Sequence, residues 1–360
     1  MDLYDIRINE DKRRALRLTS LFEDFGYRRF YMRRFEEYAF YLENRTFLAD
    51  DRLITFTDGG RLLAMRPDVT LSIIKNTRAT ADTVERVHYR ENVFRYDRRG
   101  GHWREISQLG IELLGRVDAY CELEVCTLAL ESLAAYDVDY ILDVSHMGCL
   151  AAILEDCGVR TPEAISEVKD CIERKSVGGL RAACVSHGVS ERDSARLERL
   201  ILLPTDYAEA ARALVEVAGD CTEAHEAAES LRSLGESIAR AGLGAHIRLD
   251  FSAIGDFGYY NGILLRGYVS GASEAVLTGG RYDGMASKLA PGVCGIGFAL
   301  RPGELRRTDD ERSESYLVYG EGDDPAAVLA RVREESGQGR RVIAVRELPA
   351  EAEGAEIIRM

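Results

Sequence analysis

The stretch Ile106-Ser107-Gln108-Leu109-Gly110-Ile111-Glu112-Leu113 alternates large apolar residues with polar or small ones. Successive side chains of a β-strand point to opposite faces, so the alternation predicts a strand with two different faces. Those faces carry Leu109, Ile111 and Leu113 on one side, and Gln108, Gly110 and Glu112 on the other. The apolar face predicts contact with a hydrophobic core. The polar face indicates either a solvated sheet surface or a small binding pocket, and this strand alone favours neither.

A second predicted strand lies immediately before this one. Residues 85–98 and 102–115 form a predicted antiparallel pair joined by Arg99-Gly100-Gly101. Long antiparallel strands in a sequence that also predicts helices favour an α+β fold over repeated βαβ units. Arg95 shares one face of the earlier strand with two carboxylates, where its guanidinium suits a ligand carboxylate or phosphate. A structural salt bridge explains the same pattern equally well.

A carboxylate and a hydroxyl follow a hairpin predicted at residues 52–65. They belong to Asp68 and Thr70, and Pro67 before them stiffens the turn. Both side chains suit a polar ligand. Thr70 also has a structural interpretation, as the N-terminal cap of a helix predicted at 71–78.

The pair Tyr259-Tyr260 supplies two aromatic rings before Gly262. A strand predicted at 259–269 would place Tyr260 and Gly262 on one face, a ring beside an empty position. Together with the carboxylates, Gln108 and Arg95, these groups suit a zwitterionic amino acid. Carboxylates and a hydroxyl bind an ammonium group, and a guanidinium binds a carboxylate.

The rest of the chain predicts a domain at 1–305 and a smaller segment at 306–360. The larger domain would contain a helix at 12–25, a helical insertion at about 148–243 broken at Pro204 and Gly235, and a strand at 246–251. The smaller segment would begin with a charged linker at 306–314. It would continue as a β-α-β tail with elements at 316–319, 326–333 and 341–345.

Composition restricts the function classes. The 360 residues are 46% hydrophobic and carry a formal net charge of −14, with eight cysteines. This predicts a globular chain with neither a membrane span nor a signal peptide. Sparse cysteines favour reduced thiols and a cytoplasmic location, and the acidic charge disfavours binding to nucleic acid.

Three weaker signals have structural explanations. The basic segment Arg28–Arg34 suits either RNA or, more simply, a strand or interface segment with solvated arginines. The pairs His146/Cys149 and Cys184/His187 have helix-like spacing, and we predict neither a metal site nor any cofactor. Trp103 beside the glycine turn is expected to hold the hairpin together.

Five segments resemble histidyl-tRNA synthetases, in the same order and across residues 1–305. They are Thr55–Asp58 with Leu62–Thr70, Tyr89–Arg95, Gln108–Glu112, Tyr259–Asn261 and Gly279–Gly284. The resemblance implies the class II synthetase fold, an antiparallel sheet flanked by helices, and a dimer with a histidine pocket. It implies histidine-binding residues at Asp68, Thr70, Arg95, Gln108, Glu112, Tyr259 and Tyr260. By that resemblance, the first two and Gln108 hold the α-amino group, Glu112 and Tyr260 contact the imidazole, and Arg95 lies near the carboxylate.

The sequence departs from the synthetase pattern at positions that serve ATP. Gly255 stands where the synthetases have an arginine before the tyrosine pair, and Glu304 stands where a second arginine binds ATP. Ile106 replaces the aromatic residue that packs on adenine. Two lost cations would remove much of the transition-state stabilisation for adenylation, and Arg301 is placed to compensate for only one.

The combined pattern is similar to that of the regulatory subunits of ATP phosphoribosyltransferase. It consists of a retained histidine pocket, an altered ATP site and a tail too short for an anticodon-binding domain. The resemblance implies a non-catalytic histidine sensor for the first step of histidine biosynthesis. It would form a homodimer within a hetero-oligomer containing a short-form catalytic subunit, with L-histidine as ligand. Two alternatives remain open: an enzyme that forms histidyl-adenylate without a full anticodon-binding domain, and a tRNA-binding paralogue.

Overall fold

The computed structural model describes residues 10–48, 52–98, 100–255, 257–302, 314–338, 340–349, 352 and 356–360. The chain divides into two compact units, Met1–Leu305 and Arg306–Met360. Most of the linker predicted at 306–314, together with Arg99 and Glu304, lies outside the described residues.

The described strands of the first unit form one large sheet and one smaller sheet. The strands of this unit are β1 (Arg28–Arg29), β2 (Phe35–Glu37), β3 (Thr55–Asp58), β4 (Arg61–Met65), β5 (Val84–Asp97), β6 (His102–Gly115), β7 (Tyr140–His146), β8 (Ile247–Leu249), β9 (Ile263–Val269), β10 (Leu277–Arg281) and β11 (Cys294–Leu300). Eight of them form one sheet in the order β1-β5-β6-β11-β10-β9-β7-β8, and β2-β4-β3 form a smaller one. Only β1 with β5 and β7 with β8 pair in parallel within these described strands.

Helices cover the large sheet and supply the insertion. They are α1 (Glu10–Asp24), α2 (Tyr38–Glu43), α3 (Thr70–Asn76), α4 (Ala119–Ala134), α5 (Met147–Asp156), α6 (Pro162–Glu173), α7 (Val177–Ser186), α8 (Glu191–Ile201), α9 (Tyr207–Ala218), α10 (Thr222–Arg240) and α11 (Asp283–Leu289). The run from α5 to α10 is the helical insertion that the sequence predicts. Within the described residues, no helix combines the length and the apolar character needed to cross a bilayer.

The apolar face of β6 lies in the main core. Leu109, Ile111 and Leu113 are each 0% exposed, in one cluster with apolar residues of α1, α4 and the insertion helices. The alternation in 106–113 therefore predicts this face correctly. The prediction of an α+β fold with a mainly antiparallel sheet is confirmed.

The second unit is a three-stranded parallel sheet with one helix. Its elements are β12 (Glu314–Val318), α12 (Pro325–Gly337), β13 (Arg341–Val345) and β14 (Glu356–Arg359). β12 lies between the other two strands. The predicted β-α-β tail is therefore present, with a third strand, β14, that the sequence pattern did not indicate.

Two predicted boundaries are wrong. Tyr259 and Tyr260 lie in the loop before β9, which begins only at Ile263, so they share no strand face with Gly262. The empty position at Gly262 accommodates the side chain of Arg281, since an added Cβ would lie 2.8 Å from that residue's Cβ. Both rings nevertheless reach the cavity described below.

Gly235 was predicted to break the insertion, yet it lies inside α10. A Cβ at this position would lie 2.0 Å from Cε1 of Tyr207, whose buried hydroxyl donates to the Leu231 carbonyl oxygen at 2.9 Å. The glycine therefore allows α9 and α10 to approach closely. The break between these helices is at Gly219, which has a φ of 59°.

We expect Gly235→Ala to lower the free energy of unfolding by about 1–3 kcal/mol, because the new methyl group displaces the Tyr207 ring. The matched control is Gly178→Ala in α7, where an added Cβ has no neighbour within 4 Å. That control should change stability by less than about 1 kcal/mol. Urea unfolding followed by circular dichroism measures both, and equal effects would contradict the packing explanation.

Candidate functional site

A cavity of about 230 Å³ opens on the polar face of the large sheet. All seven residues predicted to bind histidine line it: Asp68, Thr70, Arg95, Gln108, Glu112, Tyr259 and Tyr260. The volume is below the roughly 300–1,000 Å³ typical of drug-sized ligands, which suits a metabolite as small as an amino acid. The structure therefore brings together side chains from four separated parts of the sequence.

Strand register explains why β5, β6 and β11 contribute to one site. Glu91 lies opposite Gln108, and Glu112 lies opposite both Val87 and Gly297. Opposed residues of an antiparallel pair point to the same face, so the polar face of β6 continues onto its neighbours. A Cβ at Gly297 would lie 2.0 Å from Oε2 of Glu112, so only glycine lets the carboxylate lie across β11.

Glu112 is the most buried carboxylate of the cavity, with 2% of its surface exposed. Thr70 Oγ1 donates to Oε1 at 2.7 Å, and the Tyr282 hydroxyl donates to Oε2 at 2.5 Å. Burial raises the pKa of Glu112 from its ordinary value of 4.5 to about 8, although the two hydroxyl donors act in the opposite direction. A donor group on a ligand would stabilise the carboxylate further.

Asp68 fixes the start of α3 and pairs with Arg95. Its Oδ1 accepts from the Leu71 backbone N–H at 2.9 Å, and its Oδ2 lies 3.5 Å from Arg95 Nη2. Burial raises the pKa of Asp68, and the Arg95 guanidinium opposes the rise. The N-cap residue of α3 is Val69, and Asp68 before it satisfies the Leu71 N–H. The capping interpretation of Thr70 is wrong, because Thr70 is the first residue of α3 and its hydroxyl donates to Glu112.

The remaining predicted residues form the other walls. Tyr259 and Tyr260 stack obliquely with ring centroids 4.6 Å apart, and burial raises the pKa of both hydroxyls. Gln108 is 7% exposed and its side chain makes no hydrogen bond to other described residues. Because Gln108 lines the cavity, its amide is available to donate to or accept from a ligand.

Two tyrosines of the site had no predicted role. Tyr282 donates to Glu112, and it lies within the segment Gly279–Gly284 that resembles the synthetases. Tyr89 lies opposite Gly110, and a Cβ on that glycine would lie 2.6 Å from the Tyr89 hydroxyl. Tyr89 therefore fills the space that Gly110 leaves on β6. The sequence signal for this contact is an aromatic residue paired with a glycine on the neighbouring strand.

Gly255 and Ile106, two of the positions that depart from the synthetase pattern, contact residues at or near the site. Gly255 lies beside the Tyr260 ring, and its carbonyl oxygen accepts from Lys169 Nζ at 3.3 Å. Arg301 donates to the Ala275 carbonyl oxygen and is not among the described residues that line the cavity. Compensation by Arg301 at this cavity is therefore not seen. Ile106 packs against the core cluster that contains Tyr89.

The weaker sequence signals have structural positions. In the basic segment, Arg28–Arg29 forms the exposed edge strand β1. His146 accepts from the Cys149 backbone N–H, and no group of three or more potential metal ligands occurs among the described residues. Trp103 packs edge-on against Tyr96 across the hairpin, with ring centroids 5.4 Å apart, as expected for a residue that holds the two strands together.

The raised pKa of Glu112 predicts a pH-dependent stability. Between about pH 4.5 and 8 the folded state keeps a proton on Glu112 that the unfolded state releases, so stability falls as pH rises, by at most about 1.4 kcal/mol per unit. Glu112→Gln removes this contribution, and the variant should gain stability relative to the wild type from pH 5 to pH 8. Urea unfolding at both pH values measures the difference, and parallel pH profiles would contradict the burial effect.

Comparisons with known proteins identify the family of the chain and agree with its fold. Residues 2–305 match the family model described as histidyl-tRNA synthetase. The ATP phosphoribosyltransferase regulatory subunit of Moorella thermoacetica is 31% identical over 339 residues, which cover 91% of this chain and 86% of that protein.

Two solved structures share the fold. An ATP phosphoribosyltransferase regulatory subunit/histidyl-tRNA synthetase from Bacillus halodurans has a TM-score of 0.75 at 23% identity, covering 97% of this chain and 93% of that one. The ATP phosphoribosyl transferase (HisG:HisZ) complex from Thermotoga maritima has a TM-score of 0.62 at 19% identity, covering 83% and 98%. The chain thus belongs to the histidyl-tRNA synthetase-like family and, within it, to the ATP phosphoribosyltransferase regulatory subunits.

Proposed function

We propose that this regulatory subunit binds L-histidine in the cavity and transmits its occupancy to a separate, short-form ATP phosphoribosyltransferase catalytic subunit. The observation that carries the proposal is the convergence of Asp68, Glu112 and Arg95 on one cavity. Two carboxylates and one guanidinium complement an amino acid that has an ammonium group, a carboxylate and a basic ring. The protein would act in the cytoplasm as a homodimer within the hetero-oligomer.

The α-amino end would bind where α3 meets the sheet. The partly buried Asp68 carboxylate provides the charge, and the Gln108 amide oxygen provides an acceptor. The Thr70 hydroxyl donates its proton to Glu112, and its oxygen retains lone pairs that accept from an ammonium N–H. These three acceptors match the three hydrogens of an ammonium group.

The other two ends of histidine would bind Arg95 and Glu112. Arg95 uses Nε for the Pro67 carbonyl oxygen at 2.8 Å and is about one-third exposed, which suits a ligand carboxylate near the mouth of the cavity. Glu112 accepts an imidazole N–H, with Tyr260 beside the ring. Because Tyr282 and Thr70 hold both oxygens of Glu112, the carboxylate is oriented before the ligand arrives.

Feedback control follows if histidine prefers one of two states of the complex. Such coupling is typically about 1–3 kcal/mol and acts equally on both binding events. The relatives named as regulatory subunits support a regulatory role for this chain. Regulation by histidine is the further step that the cavity supports.

A histidine-activating enzyme is the second candidate, because the pocket would suit that reaction's amino acid too. The cations near Gly255 favour the sensor, because they bind the protein backbone. Lys169 donates to the Gly255 carbonyl oxygen, and Arg266 donates to the Ile254 carbonyl oxygen. We expect no histidine-dependent exchange of pyrophosphate into ATP. Exchange at the rate of a synthetase would establish the enzyme instead.

The direct test is histidine binding by calorimetry. We expect Glu112→Gln and Asp68→Asn to weaken binding by at least about tenfold, since each replaces an acceptor oxygen with an NH2 group and leaves a donor of the bound ligand without its partner, which costs about 1–3 kcal/mol. Glu105→Gln is the matched control, because Glu105 lies on the same strand and accepts from Asn92 outside the cavity lining.

Alanine variants at the same two positions test regulation in the complex with the catalytic subunit. Glu112→Ala and Asp68→Ala should abolish inhibition by histidine while leaving assembly of the complex intact. Unchanged inhibition in both variants would discard the cavity as the regulatory site. Absence of any heat of binding with wild-type protein would discard histidine as the ligand.

A further inference from the structure

The loop that carries Tyr259 and Tyr260 connects β8 to β9, and its two ends are fixed to the sheet. Near its start, Ser145 Oγ donates to the Ala253 carbonyl oxygen at 2.6 Å. Near its end, the Asn261 backbone N–H donates to the Arg281 carbonyl oxygen at 3.1 Å. Between these anchors, Tyr259 and Tyr260 face the cavity, whereas the Phe257 side chain and the Gly255 carbonyl oxygen contact the helical insertion.

Lys169 of α6 contacts the middle of the loop in two ways. Its Nζ donates to the Gly255 carbonyl oxygen at 3.3 Å and lies 4.2 Å from the centroid of the Phe257 ring. Phe257 also lines a cleft of about 420 Å³ with Leu154 and Ile165 of the insertion. A cation–π contact and apolar packing therefore join the loop to α5 and α6.

Arg266 makes a second connection between α6 and the site. On β9 it lies directly opposite Thr278, which lines the cavity. It donates to the Ile254 carbonyl oxygen of the loop, and its Nη1 lies 3.8 Å from Glu173 at the end of α6. One guanidinium thus bridges the loop and the insertion helix at the edge of the cavity.

We propose that Lys169 and Arg266 are positioning residues that hold the tyrosine loop in its ligand-binding arrangement, and that α6 senses whether the cavity is occupied. The identity of the ligand rests on the proposed function. A ligand that contacts Tyr260 selects loop arrangements in which these two cations keep their partners. Since coupling is reciprocal, occupancy stabilises α6, and changes at α6 alter affinity.

The outer face of α6 is exposed, so the proposed coupling can act at the protein surface. Glu163, Glu167 and Asp170 are exposed, whereas Ala164, Val168 and Ile172 are buried in the main core. A change in the conformational mobility of α6 therefore changes the exposed surface of the protein directly.

Hydrogen exchange of the full-length chain tests the positioning role without any ligand. Lys169→Met and Arg266→Met should speed amide exchange in the described loop residues 251–255 and 257–262 several-fold, and Lys169→Arg should restore protection. Arg181→Met is the matched control: Arg181 pairs with Glu198 within the insertion, and its loss should leave the loop unchanged. Equal exchange in all variants would overturn the inference.

Histidine titration tests the coupling. We expect the two methionine variants to bind histidine about tenfold more weakly than Arg181→Met. In the wild type, saturating histidine should slow amide exchange within α6. This measurement does not depend on the folding of any variant. Wild-type binding without protection of α6 would overturn the sensing role. No binding by the wild type would refute the proposed function, while the ligand-free exchange results would still decide whether the cations position the loop.

Discussion

The buried Glu112 carboxylate is the group around which the first unit is organised. Thr70 at the start of α3 and Tyr282 immediately before α11 both donate to it, and Gly297 of β11 leaves the space in which it lies. Two donors from distant parts of the chain thus satisfy one carboxylate, and a glycine from a third part leaves room for it. Burial alone would make this group unfavourable, and a buried acceptor that lost one donor would destabilise the fold. The site and the fold therefore depend on the same contacts.

This arrangement also explains why the cavity suits a cationic partner. Burial disfavours the charged forms of both Asp68 and Glu112, and Arg95 compensates mainly Asp68, from a partly exposed position. A ligand that supplies an ammonium group at one carboxylate and a ring N–H at the other adds the missing donors. In the proposed role, binding energy comes from relieving this imbalance, and an amino acid without a second donor would leave Glu112 as it is in the empty cavity.

Local patterns predicted the strands and the polar face well because alternation is a property of single segments. The seven predicted residues were chosen through resemblance as well as chemistry, and they line one cavity because register aligns Glu112, Gly110 and Gln108 with their neighbours. What the sequence did not predict depends on contacts between distant segments. Gly235 looked like a helix break because its close approach to Tyr207 has no local signature. Likewise, Thr70 resembled a cap because its bond to Glu112 spans 42 positions.

The position of Gly255 separates binding from chemistry in this fold. An arginine side chain there would need space now occupied by Tyr260 and Leu264. Even a Cβ would lie 2.9 Å from the Tyr260 ring and 3.0 Å from a methyl group of Leu264. Lys169 instead binds the carbonyl oxygen of Gly255 from outside the cavity lining. A cation that would act on a substrate is thus replaced by one that acts on the backbone of the loop. In the proposed role, the loop position that lacks a group suited to phosphate chemistry is also the position through which α6 contacts the loop that carries the tyrosines.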